Sequence, residues 1–105
     1  MSKRLLVFSD AAVADILEQA DWYAAQSGVR LAKRWERAVD SAVLLLVRRP
    51  AAGSLCAFRP PELHGVRRMT ISGFLKHLLF YCFDETELFV IRVIHGARDL
   101  EKLFS

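Results

Sequence analysis

Cysteine is scarce in this chain of 105 residues: Cys56 and Cys82 are too few for a disulfide framework and too far apart for a zinc knuckle. Both read as reduced thiols, and Cys82, inside an apolar run, as a small hydrophobe. No apolar stretch reaches the roughly 20 residues that span a bilayer, and the opening MSKRLLVFSDAA lacks the long apolar segment and cleavage pattern of a secretory signal. A cytoplasmic protein with no membrane partner is expected. His64 and His77 have no ligand spacing with each other or with the cysteines, so neither a metal nor a cofactor is expected. No aromatics interleave with the cations as single-strand binders require, so direct sequence-specific nucleic-acid binding is not expected either.

What is present is a chain with 53% hydrophobic residues, long enough for one core and too short for two, so a single domain over residues 1–105 is expected. The net charge of +3 is unevenly spread. From Ser9 to Ser27 the charges are Asp10, Asp15, Glu18 and Asp21 with no cation, whereas Arg30, Lys33, Arg34, Arg37, Arg48, Arg49, Arg59, Arg67, Arg68 and Lys76 dominate the middle. Such asymmetry suits an anionic partner, or equally a solvated basic helix lying beside an acidic one.

Leu5 to Phe8 is a short apolar run with the length of a strand. Ser9 or Asp10 can cap a following helix, in which Val13, Ile16, Leu17, Ala20, Tyr23 and Ala24 recur at the spacing of one buried face, leaving Asp15, Glu18, Gln19, Trp22 and Gln26 on the other. Ser27-Gly28 ends that helix. A second one carries Leu31, Trp35, Ala38, Val39, Ala42 and Leu46 inward and stops at Pro50. Ala51 to His64, with Gly53, Pro60 and Pro61, reads as a long loop, a candidate functional or partner-ordered segment. Val66 to Ile71, Leu75 to Phe83 and Leu88 to Ile94 then alternate with turn signals at Ser72-Gly73 and Asp84-Glu85-Thr86, which predicts a three-strand antiparallel meander. Leu100, Leu103 and Phe104 close the chain on one side of a short helical turn. The predicted fold is α+β: an N-terminal strand, an antiparallel helical hairpin on one face of a sheet, and the meander that completes it.

The stretch LFVIRVIHGARDL, Leu88 to Leu100, concentrates the polar chemistry. Its Val- and Ile-rich start suits a central strand, interrupted by Arg92 and followed by His95, Gly96, Arg98 and Asp99. Strict alternation would set Phe89, Ile91 and Val93, with Met69 and Ile71, against the helices, and Leu88, Val90, Arg92 and Ile94, with Arg68, on the opposite face. With no element left to cover it, that half-apolar, half-cationic face is a candidate binding groove. Arg92 inside an apolar run needs either a carboxylate, Asp99 being one, or the open groove. His95 beside a glycine serves equally as a structural hydrogen-bonding residue, and Arg98-Asp99 as a simple pair or cap.

The segments DILEQADWYAAQSG, GVRRMTISGFLKHLLFYCF and above all RVIHGARDL resemble the ParE branch of the RelE/ParE toxin superfamily over nearly the whole chain. The resemblance implies a type II toxin held inactive by a cognate, ParD-like antitoxin in a hetero-oligomer, in systems that stabilise plasmids. It further implies DNA gyrase as the target for a ParE-like member, or messenger RNA on the ribosome for a RelE-like one. A metal-free ribonuclease needs a base, an acid and fixed cations, for which Arg68, Arg92, His95 and Arg98 would be the catalytic residues. RelE-type enzymes commonly place a Tyr near the C-terminus for this work. Here the end reads Leu103-Phe104-Ser105, and the two tyrosines are Tyr23 and Tyr81. The reading is therefore a non-enzymatic toxin that captures protein, with the ribonuclease as alternative. Its partner surface would comprise Arg68, Leu88, Val90, Arg92, Ile94, His95, Arg98 and Asp99. The antitoxin's disordered tail would fold on it as an added strand or a helix, its acids meeting the arginines.

Overall fold

A computed structural model of the chain describes residues 4–96. The predicted terminal turn of Leu100, Leu103 and Phe104, and the candidate residues Arg98 and Asp99, lie outside them. The elements are β1 (Leu5–Phe8), α1 (Asp10–Ser27), α2 (Val29–Arg48), β2 (Ser54–Leu55), a 3-10 turn (Pro61–Leu63), β3 (Arg67–Ile71), β4 (Phe74–Phe83) and β5 (Glu87–His95). They form a five-stranded mixed sheet in the order β1-β5-β4-β3-β2, with β1 parallel to β5 and every other pair antiparallel. The predicted strand, hairpin and meander are all present, and β5 lies inside the sheet. The short edge strand β2, unread in the sequence, pairs Ser54 and Leu55 with Arg68 and Arg67. A two-residue strand leaves too short a pattern to signal itself.

Ser9 caps α1: its hydroxyl accepts from the Ala12 amide at 2.9 Å and donates to the Ile91 carbonyl at 2.6 Å, which ties the helix start to β5. Gly28, at φ +93°, closes α1 and opens α2 in one residue, a backbone state that a side chain would strain. The face of α2 that packs on the sheet carries Trp35, Val39, Ala42, Val43 and Leu46, and the Trp35 indole N–H donates to the Ile16 carbonyl at 3.0 Å, locking the two helices together. Beneath them lie Ile71, Leu79, Tyr81, Leu88, Val90 and Val93.

The roll of α1 departs from expectation. Ala12 and Ala20 are buried and Ile16 and Tyr23 pack beside them, whereas Val13 and Leu17 are 42% and 54% exposed. The helix is turned so that Asp15 points at β5, an ion-pair constraint that apolar spacing cannot express.

The two sheet faces also differ from strict alternation. Phe80 opposes Arg92 while Tyr81 opposes Val90, so Ile91 is an extra residue, a β-bulge that resets the pattern along β5. Before it, Leu88 and Val90 face the helices; after it, Val93 does. Ile91 and Ile94 fall on the opposite face, which is not bare. Cys56, Phe58, Leu63 and Val66 cross it and form a second core with Leu78, Phe80, Ile91 and Ile94. The long loop therefore covers the face that strict alternation leaves open as a groove. It is pinned by Tyr81, whose hydroxyl donates to the Pro50 carbonyl at 2.7 Å and accepts from the Gly53 amide at 2.8 Å.

Candidate functional site

Beyond Phe8, β5 has no strand on its outer side among the described residues, and the start of α1 takes that place. The Ser9 amide donates to the Val90 carbonyl at 3.0 Å, and one oxygen of Asp15 accepts from the Val93 amide at 3.0 Å. The same carboxylate grips Arg92 in a fork, Nε to Oδ2 at 2.7 Å and Nη2 to Oδ1 at 2.8 Å. The pair is mostly shielded, and the hydrogen bonds to Asp15 hold the Arg92 guanidinium more firmly charged than usual. Arg92 thus has a carboxylate from α1, the expected candidate Asp99 lying outside the described residues, and its charge is spent within the fold instead of facing a groove.

The remaining predicted site residues scatter. Leu88 and Val90 are wholly buried beneath the helices and Ile94 lies under the loop, so none of these three side chains forms the open face expected of them. The bulge and the loop are the physical reasons. Arg68 is exposed and opposes Phe80, on the loop-covered face. His95 is exposed and opposes His77, on the helix face. Arg68 and His95 therefore project from opposite sides of the sheet. Burial pushes the Cys56 thiol upward, the Arg68 charge opposing only in part, so Cys56 is held as a protonated thiol. Among the described residues, no group of three or more His, Cys, Asp and Glu could hold a metal, and no helix is long and apolar enough to cross a membrane.

What the helix face offers instead is an aromatic floor. Tyr23 sits 5.9 Å from Trp35 and 5.4 Å from Phe74, Trp35 sits 5.3 Å from Phe74 and 4.8 Å from His77, and His77 sits 5.5 Å from His95, all between ring centres. Burial, reinforced by the neighbouring His95, lowers the basicity of His77 below its ordinary 6.5. Burial likewise raises the Tyr23 phenol despite a hydrogen bond with Gln19. Both rings therefore favour their neutral forms.

Two open clefts flank this floor. The first, about 670 Å³, lies between α1 and the ends of β4 and β5 and includes Glu18, Trp22, Tyr23, His77 and His95. The second, about 700 Å³, lies between α2 and the β3–β4 turn and includes Arg34, Arg37, Ala38, Ser41, Leu45 and Met69. Gly73, Phe74 and Leu75 line both. Along these clefts Trp22, Leu75 and Leu45 are exposed by 56%, 70% and 43%. The sequence did carry a signal for this surface: Trp22 falls on the polar side of an amphipathic helix, where a tryptophan has no packing reason to be.

Comparison with known proteins agrees with this architecture. A family model described as the ParE toxin of the type II toxin-antitoxin system, parDE, matches residues 6–100. A solved structure titled "Chromosomal ParDE TA system from P. aeruginosa" superposes with a TM-score of 0.72 at 19% identity, covering 89% of this chain and 96% of that one, a likeness of fold. No curated protein sequence matches the chain. With the family model spanning nearly its whole length, the chain belongs to the ParE toxin family of type II toxin-antitoxin systems.

Proposed function

We propose that this ParE-family toxin is a single-domain protein that acts in the cytoplasm by binding, inhibiting DNA gyrase, and that a cognate ParD-like antitoxin neutralises it by occupying the same helix-side surface. The observation that carries this reading is the line of exposed apolar side chains, Trp22, Leu75 and Leu45, across two adjoining clefts. Burying such side chains against a partner is favourable by roughly 1.5–3 kcal/mol each. The four residues that a ribonuclease would use give no support to the alternative. Arg92 is committed to Asp15, Arg68 and His95 leave the sheet on opposite faces, and Arg98 lies outside the described residues. Of the two tyrosines, the Tyr81 hydroxyl is bonded on both sides and Tyr23 is packed into the aromatic floor.

The purified chain is to be compared in gyrase supercoiling and in ribosome-dependent transcript cleavage. Blocked supercoiling with intact transcripts, relieved by added antitoxin, is the expected result. Transcript cleavage that disappears on His95→Ala would establish the enzyme instead.

A further inference from the structure

β1 is the edge of the sheet, and among the described residues no strand pairs with its outer side. Sheet edges are commonly blunted by charge, proline or a bulge, yet Leu5–Phe8 carries none of these, and Leu5 is 64% exposed. The Leu5 and Ser9 amides donate inward, to the Thr86 and Val90 carbonyls at 2.8 and 3.0 Å. Backbone groups alternate along a strand, so the N–H and C=O of Leu6 and Phe8 point outward. The side chains of Leu6 and Phe8 pack on the helix-side core, which puts Leu5 and Val7 on the other face. There Val7 opposes Phe89 and Phe89 opposes Cys82, a part-buried row that lies beside the loop-covered core and not among its residues.

The sequence across this edge is complementary to itself. Read antiparallel about Val7, the segment from Arg4 to Asp10 sets Arg4 against Asp10, Leu5 against Ser9 and Leu6 against Phe8. That register joins outward-pointing groups to outward-pointing groups, so each Leu6–Phe8 pair exchanges both of its N–H···O bonds. A slip to the register that sets Arg4 against Phe8 keeps such bonds and loses the ion pairs, so charge fixes the alignment. Asp10 is exposed at the start of α1, and Ser9 keeps the backbone extended up to it. Arg4 lies over the Phe83 ring with its Nε–H donating to the Asp84 carbonyl, which holds the guanidinium at the start of the strand.

We infer that a second copy of this chain pairs on this edge, β1 against β1 about a twofold axis through Val7, to give a dimer with one continuous sheet. The row of Cys82, Phe89 and Val7 then runs on through the same three residues of the other copy, and Arg4 meets Asp10 at both ends of the pairing. Pairing of like with like uses the edge up and closes the assembly. The opposite edge, β2, has only Ser54 and Leu55 to offer. No residue from Arg4 to Asp10 lines either cleft, so the pairing draws on none of the helix-side surface proposed for antitoxin and target.

Sedimentation equilibrium of the full chain over a concentration series tests the pairing. Val7→Asp sets two carboxylates face to face on the axis, and Arg4→Glu and Asp10→Lys each bring like charges together. The double variant Arg4→Glu/Asp10→Lys restores the ion pairs with their signs exchanged. Leu55→Asp on the β2 edge and Leu75→Asp at the β3–β4 turn are controls at other exposed leucines, and circular dichroism checks that each variant is folded. A wild-type dimer is expected, weakened at least about tenfold by Val7→Asp and by each single reversal, recovered to within about threefold by the double variant, and changed less than about twofold by the controls. Where Val7→Asp does not fold, the charge exchange decides alone. A monomeric wild type, growth past the dimer, a dimer lost on Leu55→Asp or Leu75→Asp, or a single-reversal loss that the double variant does not recover each overturns the pairing.

Discussion

Arg92 would be costly in an apolar strand were it not for Asp15, which takes both of its forked N–H groups and the Val93 amide as well. Asp15→Ala therefore removes three hydrogen bonds at once and leaves a shielded cation without its counterion. The expected cost is about 3 kcal/mol in chemical denaturation, and a loss below about 1 kcal/mol would show that the pair is dispensable. His77 makes the opposite kind of demand. Packed against Trp35 and Tyr23, with His95 at the cleft mouth and Lys76, Glu18 and Asp15 around it, the imidazole resists protonation. The unfolded chain takes up that proton near the ordinary value of 6.5 and the folded chain only at lower pH, so the unfolded state binds more protons in between. Stability should fall as pH drops below about 6.5 and level off once the folded form is itself protonated. Thermal melts at about pH 7.5 and about pH 5.5 check this, with the decrease smaller in His77→Phe than in the wild type; equal decreases would remove His77 as the cause.

At the scale of elements, the loop between α2 and β3 behaves as structure, not as slack. Tyr81 reaches out of β4 to fix Pro50 and Gly53, and Arg67 donates to the Gly53 carbonyl at 2.8 Å. A β-carbon at Gly53 would come within 2.5 Å of the Tyr81 hydroxyl and 2.8 Å of the Arg68 carbonyl. Gly53→Ala is thus expected to destabilise the chain by about 2 kcal/mol and to quicken hydrogen exchange in residues 54–56; a neutral effect on both would mean that the strap is not held there. This element also marks what the sequence could express. Apolar periodicity and turn residues are local, and they yielded both helices, the hairpin glycine at Gly28 and the meander with β5 inside it. The Ile91 bulge, the Asp15–Arg92 fork and the packing of Phe58 and Leu63 on Phe80 and Ile94 depend on residues far apart in the chain. Each changed which side chains reach solvent. The predicted partner face was lost for that reason: Leu88 and Val90 turned toward the helices, and Ile94 was covered by a segment with no period of its own.

For the whole molecule, the consequence is a division between the two sides of the sheet. One side is covered by its own loop. The helix side, in contrast, exposes Trp22, Leu75 and Leu45 along two clefts, the second of which is lined by Arg34 and Arg37, and the proposed shared surface for antitoxin and target lies here. Hydrogen exchange measured on the free chain and on its complex with antitoxin distinguishes the two sides directly. Strong added protection at Gly73 to Lys76 and along α2 from Arg34 to Leu45, with none at Cys56 to Val66, is the predicted result. Protection confined to Cys56 to Val66 and β3, with the β3–β4 turn unchanged, would contradict it.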